Sequence, residues 1–236
     1  MSNLGFRIVM NIKRPSPEIM EKFKKCSASS IADGMNRFFC VAPEIKMINQ
    51  KSGLRMVGTA LTVKTRPVDN LMVNKALDMA QPGDVIVIDA GGNMDSAVFG
   101  EIMVKMADKK GMAGYIIDGC VRDSSAIKKM DFPVFARGVT PKGPYKNGPG
   151  EINLPISCGG VVVNPGDIIV GDEDGVVVIP PSEAENLLNK ALAKEKKEEK
   201  IMENIEKGIP RDRSWIDKAL EEKGCEFIKE EMANGN

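Results

Sequence analysis

Three charged residues suited to binding an anion and a cation occupy two short stretches of this sequence. Arg122 and Asp123 directly follow the apolar run YIIDGCV, and Glu101 stands earlier in the chain, directly after Gly100. Arginine presents a planar fork of N–H donors that matches a carboxylate, whereas aspartate offers hard oxygen atoms to a divalent cation or a base to a water molecule. The adjacent pair could therefore hold an anionic substrate beside a metal ion.

The same residues also have ordinary structural explanations. Arg122 and Asp123 could form an ion pair within a loop, or Asp123 could cap the SSAI turn that follows it. Glu101 could be one of the acids that the helix dipole favours in a first turn. If that helix begins near Phe99, the free N–H groups of Ile102 and Met103 could instead bind a carboxylate beside Glu101.

The sequence contains no histidine. This absence removes the commonest general base, the Ser-His and Cys-His nucleophile systems and the commonest ligand of transition metals. Any catalysis must therefore use carboxylates, lysine, arginine, backbone amides, water or a hard metal ion.

The composition favours a cytoplasmic protein that binds small molecules or copies of itself. Lysine and arginine number 33 and aspartate and glutamate also 33, so no net basic charge would attract nucleic acid or a membrane surface. The five cysteines are widely spaced and form no CxxC pair, which indicates reduced thiols. The N-terminal apolar patch is short, and no run of eighteen uncharged apolar residues follows it, so we expect neither export nor membrane insertion.

Helical and extended segments alternate through the centre of the chain, which predicts an α/β protein with a mixed sheet. Strands are predicted from Met56, within PGDVIVIDAGG, within the apolar run before Arg122, and within GGVVVNPGDIIVGDEDGVVVIP. Helices are predicted twice within 16–37, then at 70–81, from Phe99 to Gly111 with Phe99, Ile102, Met103, Met106 and Ala107 on one face, near 124–130, at 182–207 and around Trp215.

The phrase Pro-Gly-Asp starts an apolar strand twice, at 82–84 and at 165–167. Two well-formed turns of the same type would explain the repetition, and so would a distant internal duplication. We predict one main domain over residues 1–181 and a helical extension over 182–236, which packs on its own or on a neighbouring subunit.

Five segments of the sequence resemble a known family. They are GTALTVKTRPVDN, PGDVIVIDAGG, SAVFGEIMVKMADKKGMAGYIIDGCVRD, PVFARGVTPKG and GGVVVNPGDIIVGDEDGVVVIP. The family contains 4-hydroxy-4-methyl-2-oxoglutarate and 4-carboxy-4-hydroxy-2-oxoadipate aldolases together with the RraA regulators of ribonuclease E. The resemblance runs from about residue 20 to 210, and its most specific element is an acid followed by twenty residues and Arg-Asp.

The resemblance implies a swivelling β/β/α domain that assembles as a homotrimer or homohexamer, with active sites between subunits. It also implies a class II pyruvate aldolase that depends on Mg²⁺ or Mn²⁺ and also decarboxylates oxaloacetate. This chemistry suits a chain without histidine, because a cation beside the 2-keto oxygen can stabilise the charge that develops when a C–C bond breaks.

The resemblance also assigns roles to individual residues. It implies that Asp123 contacts the ion, that Glu101 holds waters of the ion and that Arg122 binds the carboxylate and oxyanion of the pyruvyl group. It implies carboxylate binding at Gly100, with backbone amides from Ile102 and Met103, and places Asn70 and Lys146 in the pocket. An acid of the long C-terminal helix, Glu198 or Glu199, is expected from a neighbouring subunit.

Three alternatives remain open from the sequence. One is a regulator of the RraA type that binds a ribonuclease or helicase without chemistry, although this chain keeps Asp123, Glu101 and Lys146. Another is a lysine Schiff-base aldolase using Lys64 or Lys146. The third, a methyltransferase, finds little support because no GxGxxG-type loop opens a helix after the first strand.

Overall fold

The computed structural model describes residues 3–228 of the chain. The strands in this part are β1 (Phe6–Ile8), β2 (Lys46–Met47), β3 (Met56–Thr65), β4 (Asp84–Phe99), β5 (Gly114–Val121), β6 (Val134–Val139), β7 (Gly150–Ile152), β8 (Ile156–Cys158), β9 (Val161–Val163), β10 (Ile168–Asp172) and β11 (Gly175–Ile179). The helices are α1 (Pro17–Phe23), α2 (Ala28–Gly34), α3 (Leu71–Met79), α4 (Glu101–Lys109), α5 (Ser124–Ile127), α6 (Ala184–Glu206) and α7 (Trp215–Glu222).

Nine strands of the described chain form one mixed sheet, which confirms the predicted α/β class. Strands β3, β4, β5 and β6 are parallel neighbours in that order, and β7 and β10 pair antiparallel with β3. Helices α3, α4 and α5 connect successive parallel strands. Because parallel strands end at the same edge of a sheet, the residues that follow β4 and β5 are brought together.

The sheet is covered by helices that bury its apolar side chains. Helices α3 and α4 pack against one set of strand residues, which includes Ile86, Tyr115 and Val134. Helices α1 and α2 and the first part of α6 pack over β10 and β11, where Ile31, Ile179 and Leu187 are buried. Burying each large aliphatic side chain contributes about 1.5–3 kcal/mol, so these layers hold the strand ends in fixed positions.

The chain divides into two compact units, one up to Glu195 and one from Lys196 onward. The first unit contains the sheet and the start of α6, and the second contains the rest of α6 and α7. The boundary predicted at residue 181 stays a prediction. Between residues 3 and 228, no helix combines the length and the apolar character needed to cross a bilayer. All five cysteines lie in this range as free thiols.

Strand β4 and helix α4 differ from the prediction. Strand β4 does not end at the glycines Gly91 and Gly92 but continues to Phe99, with register shifts against β5 that absorb the extra residues. Helix α4 consequently begins at Glu101 rather than near Phe99. On the predicted apolar face, Met103 and Ala107 are buried, whereas Ile102 and Met106 are exposed.

The repeated Pro-Gly-Asp phrase forms the same turn at both places. Gly83 and Gly166 have φ of 82° and 92°, a left-handed conformation that favours glycine. The carboxylates of Asp84 and Asp167 each accept the backbone N–H of the residue three positions earlier, at 2.8 Å. The common turn chemistry explains the repetition whether or not the two segments share an origin.

Candidate active site at the ends of strands β4 and β5

The two stretches singled out in the sequence meet at one edge of the sheet. Phe99, the last residue of β4, pairs with Val121, the last residue of β5. The N–H of Arg122 then donates to the carbonyl oxygen of Phe99 at 3.0 Å. Glu101 and Arg122-Asp123 are neighbours because each lies within two residues of the end of one of two paired parallel strands.

The backbone of Asp123 is left-handed, with φ of 57° and ψ of 35°. This conformation costs a residue other than glycine about 1–2 kcal/mol, and such strain is concentrated at functional sites. The side chain does not cap α5, which argues against one structural explanation of this residue. Its Oδ2 atom instead accepts the N–H of Glu101 at 3.1 Å and lies 3.7 Å from Nε of Arg122.

Gly100 makes this arrangement possible because it has no side chain. A Cβ atom at position 100 would lie 2.2 Å from Oδ2 of Asp123 and 2.8 Å from Cγ of Arg122. Neither distance is compatible with van der Waals contact. The glycine therefore lets the start of α4 approach the Arg122-Asp123 pair closely enough for the amide of Glu101 to reach the carboxylate.

A cavity of about 330 Å³ opens beside these residues. Seven residues predicted for the site line it: Asn70, Gly100, Ile102, Met103, Arg122, Asp123 and Lys146. Arg122 and Lys146 are the two cations of the lining and Asp123 is its single carboxylate, so the cavity favours an anion. Arg122 and Asp123 are both accessible, with 43% of each side chain exposed.

The cavity also contains polar backbone and side-chain atoms suited to a ligand. The first backbone hydrogen bond of α4 runs from the N–H of Val104 to the carbonyl oxygen of Gly100. The N–H groups of Ile102 and Met103 come before it in the first turn and therefore have no acceptor within the helix. Asn70 is 5% exposed, and its Nδ2 donates to the carbonyl oxygen of Val98 at 2.8 Å. Within the described chain its Oδ1 has no hydrogen-bond partner, which leaves a buried acceptor in the cavity wall.

The three predicted glutamates are placed differently. Glu101 contributes its backbone N–H to the Asp123 carboxylate, while its own carboxylate pairs with Lys105 one turn along α4. Such exposed pairs contribute little free energy, so the Glu101 side chain is available for another partner. Glu198 and Glu199 lie on α6 in the second compact unit, and their role at a subunit interface stays a prediction.

Sequence reasoning missed part of the cavity wall. The residues not predicted are Asn74, Val98, Phe99, Met106, Gly143 and Pro144. The exposed Met106 could have been found from its position one turn after Ile102 on α4. Gly143 and Pro144 belong to a segment that returns to the site from a distant part of the chain, and no local signal in the sequence indicates that return.

Lys64, one candidate for a Schiff base, lies in a separate cluster on the strands. Its Nζ is 2.5 Å from Oδ2 of the buried Asp89. Lys64 is also absent from the lining of the cavity at Arg122 and Asp123, so it is not placed to react with a substrate bound there. In the same cluster, the Asp118 carboxylate accepts a hydrogen bond from Arg137 and raises the pKa of that guanidinium.

A larger groove of about 560 Å³ lies elsewhere, along β2. Two of its charged side chains are already engaged, since Glu173 accepts the N–H of Gly53 at 2.8 Å and Lys51 pairs with Asp131. This groove lacks the combination of an arginine, an accessible carboxylate and free helix amides. The cavity at Arg122 and Asp123 is therefore the better candidate for chemistry.

Comparison with known proteins identifies the family of this chain. A sequence model described as Aldolase/RraA matches residues 28–178. A protein of Halalkalibacterium halodurans, provisionally named 4-hydroxy-4-methyl-2-oxoglutarate aldolase, is 40% identical over 86% of this chain and 96% of its own length.

Two solved structures share the fold. One is Streptomyces coelicolor RraAS2, described as an unusual member of the RNase ES inhibitor RraA family, with a TM-score of 0.72, 28% identity and coverage of 80% of this chain and 98% of that one. The other is an uncharacterized Pseudomonas syringae protein with a TM-score of 0.75, 28% identity and coverage of 84% and 92%. With the family model matching more than half of its length, this chain belongs to the RraA-like, or Aldolase/RraA, family.

Proposed function

We propose that this protein is a divalent-metal-dependent pyruvate aldolase, which cleaves a 4-hydroxy-2-oxo acid such as 4-hydroxy-4-methyl-2-oxoglutarate and also decarboxylates oxaloacetate. One observation carries the proposal. The Arg122 guanidinium, the accessible Asp123 carboxylate and the free amides of α4 converge on one cavity. The 40% identity to a provisionally named aldolase supports the same activity.

The residues at the cavity fit Mg²⁺ or Mn²⁺. The N–H of Glu101 donates to Oδ2 of Asp123. Within residues 3–228, Oδ1 of Asp123 accepts no hydrogen bond and can face an ion. No group of three or more His, Cys, Asp or Glu in this range forms a closed metal cage. Mg²⁺ suits such a site because it usually takes one or two carboxylates and keeps several waters. Asp123 would hold the ion directly, and Glu101 would act through its waters.

Each residue has a separate role in the proposed reaction. Arg122 and the amides of Ile102 and Met103 bind the carboxylate of the 2-oxo acid and fix its orientation. When bound, the cation supplies positive charge beside the 2-keto oxygen. A water oriented by Glu101 accepts the proton of the C4 hydroxyl, and C4 becomes a carbonyl as the C3–C4 bond breaks. The electron pair of that bond stays on the pyruvyl fragment, which takes up a proton at C3 to give pyruvate. With oxaloacetate, loss of CO₂ places the electron pair on the same fragment.

Pyruvate release tests the proposal. We expect pyruvate from 4-hydroxy-4-methyl-2-oxoglutarate and from oxaloacetate in the presence of Mg²⁺ or Mn²⁺. EDTA should abolish the release, and added metal should restore it. Borohydride with pyruvate should not label Lys64 or Lys146. Full activity in EDTA, or a borohydride adduct found by mass spectrometry, would contradict the metal-dependent mechanism.

A regulator of the RraA type is the second candidate, because RraAS2 shares the fold. A ribonuclease E inhibition assay with the same protein sample separates the two functions. Inhibition without any pyruvate release on either substrate would favour the regulator.

Gly100→Ala should impair the site without unfolding the protein. The new methyl group must displace Asp123 or Arg122. Since a misplacement of about 1 Å costs up to about a hundredfold in rate, we expect kcat/KM for pyruvate release to fall roughly ten- to hundredfold. Gly34→Ala is the matched control, because a Cβ there makes an ordinary contact of 3.5 Å with Leu187. Equal kcat/KM for the two variants would show that the close approach at Gly100 is unimportant.

A further inference from the structure

One side of the cavity is formed by a segment that has no regular secondary structure. This segment, Lys142–Asn147, carries Gly143, Pro144 and Lys146 into the cavity wall. It lies far in sequence from both β4 and α3. Hydrogen bonds from two other parts of the chain nevertheless hold it along its length.

Ser96 of β4 holds the first end of the segment. Its hydroxyl group lies 2.8 Å from the carbonyl oxygen of Gly143 and 3.1 Å from that of Lys142. The N–H of Ala97 also donates to Lys142, at 2.8 Å. Ser96 is 3% exposed, so water cannot readily replace its hydroxyl group.

Asp69 holds the other end. It is fully buried, and its Oδ2 accepts the N–H of Asn147 at 2.7 Å while its Oδ1 accepts the N–H of Leu71 at 2.9 Å. The two sequence neighbours of Asp69 also bond to Tyr145. The N–H of Tyr145 donates to the carbonyl oxygen of Val68, and the carbonyl oxygen of Tyr145 accepts the N–H of Asn70. One carboxylate thus ties the segment to the start of α3.

The segment limits the space available to Arg122. A Cβ atom at Gly143 would lie 2.9 Å from Nη1 of Arg122, so the guanidinium rests directly against the backbone of this glycine. If Gly143 moves away, the guanidinium gains room to turn out of the cavity. The direction of the guanidinium fork therefore depends on where Ser96 and Asp69 hold the segment.

We propose that Ser96 and Asp69 are positioning residues, which fix the Lys142–Asn147 segment so that Gly143 confines the Arg122 guanidinium and Lys146 faces the cavity. The consequence for turnover rests on the function proposed above, in which Arg122 binds the substrate carboxylate. The confinement of Arg122 does not rest on it. Because Asp123 receives no bond from this segment, metal binding is expected to be independent of Ser96 and Asp69.

The chemical reactivity of Arg122 tests the confinement without reference to activity. Phenylglyoxal labelling of the full-length chain is followed by peptide mapping, with Arg137, which is held by Asp118, as the internal reference. Loss of a hydrogen bond shifts an equilibrium about two- to tenfold, so Ser96→Ala and Asp69→Ala, which remove the side-chain partners of the segment, should each raise the labelling rate of Arg122 relative to Arg137 by about that factor. Ser96→Thr, which keeps the hydroxyl group, should restore the slow rate.

Kinetics tests the consequence for the substrate. Ser96→Ala should raise KM for oxaloacetate about three- to tenfold and leave kcat within about twofold. Arg122 binds the carboxylate equally in the bound substrate and in the transition state, so weaker binding affects KM and not kcat. Mn²⁺ affinity should not change. Gly143→Ala, at an exposed position, should give the same rise in KM by pressing on Arg122 directly.

Thr62→Val is the matched control. It removes a buried hydroxyl group that bonds another loop carbonyl, that of Leu154, at 2.7 Å. Unchanged Arg122 labelling in Ser96→Ala, or an equal increase in Thr62→Val, would overturn the proposal. If labelling rises as expected but no variant and no wild-type sample releases pyruvate, the positioning role stands and the proposed function fails.

Discussion

Asp123→Asn is expected to abolish metal binding and nearly all pyruvate release. The asparagine amide is neutral, and it can still accept the Glu101 N–H through one oxygen, so the fold around Gly100 is preserved. A bound cation contributes several kcal/mol of charge stabilisation in such reactions, so we expect kcat to fall by about a thousandfold. Isothermal titration with Mn²⁺ and a coupled pyruvate assay measure the two effects on one preparation.

Arg122→Lys is the matched comparison because it changes the neighbouring residue and keeps its charge. Lysine cannot reproduce the bidentate fork, so roughly 2 kcal/mol of binding should be lost, or about thirtyfold in kcat/KM. Mn²⁺ affinity should stay near that of the wild-type protein. If both variants release pyruvate at the wild-type rate, the Arg122-Asp123 pair is structural and the proposed function is wrong.

The meeting of Glu101 with Arg122-Asp123 could be anticipated from the sequence for a physical reason. An apolar run before each stretch and a helical pattern between them indicate two parallel strands, whose ends share one edge of the sheet. The alternative that Asp123 caps α5 could not be rejected in this way. It depends on where one carboxylate points, and the left-handed backbone of Asp123 turns that carboxylate toward Glu101.

The other parts of the site depend on contacts that leave no local pattern. Two glycines at 91 and 92 are ordinary signals for the end of a strand, yet the pairing of β4 with β5 resumes beyond them. Gly143 is one of several glycines in a stretch whose sequence predicts a loop. Its contact with Arg122 exists because Ser96, 47 residues earlier, bonds its carbonyl oxygen. Such long-range bonds are set by tertiary packing rather than by residue type.

The last prediction concerns the assembly, and we propose that each active site is shared between subunits of a homotrimer or homohexamer. The family resemblance assigns to the site an acid from a neighbour's long C-terminal helix. Glu198 is the first choice and Glu199 the second. Glu198→Ala and Asp123→Ala proteins should each be nearly inactive, the first through lost water positioning and the second through lost metal binding.

Mixing the two variants after reversible dissociation should restore activity. In a ring of head-to-tail interfaces, an equal mixture pairs an intact Asp123 with a neighbour's intact Glu198 at about one quarter of the sites. Activity should therefore recover to about a quarter of the wild-type rate. A mixture of Asp123→Ala with Arg122→Ala is the control. These two residues lie next to each other in one chain, so exchange of subunits cannot reunite them.

The two mixtures distinguish a shared site from a site within one chain, because subunit exchange alone would affect both equally. Light scattering should give the mass of three or six chains, and mass spectrometry of differently tagged chains should verify the exchange. A monomer, or verified exchange without recovery for either Glu198 or Glu199, would remove the neighbouring acid from the mechanism. The roles of Arg122 and Asp123 would be unaffected, since Gly100, Glu101 and both residues of the pair come from the same chain.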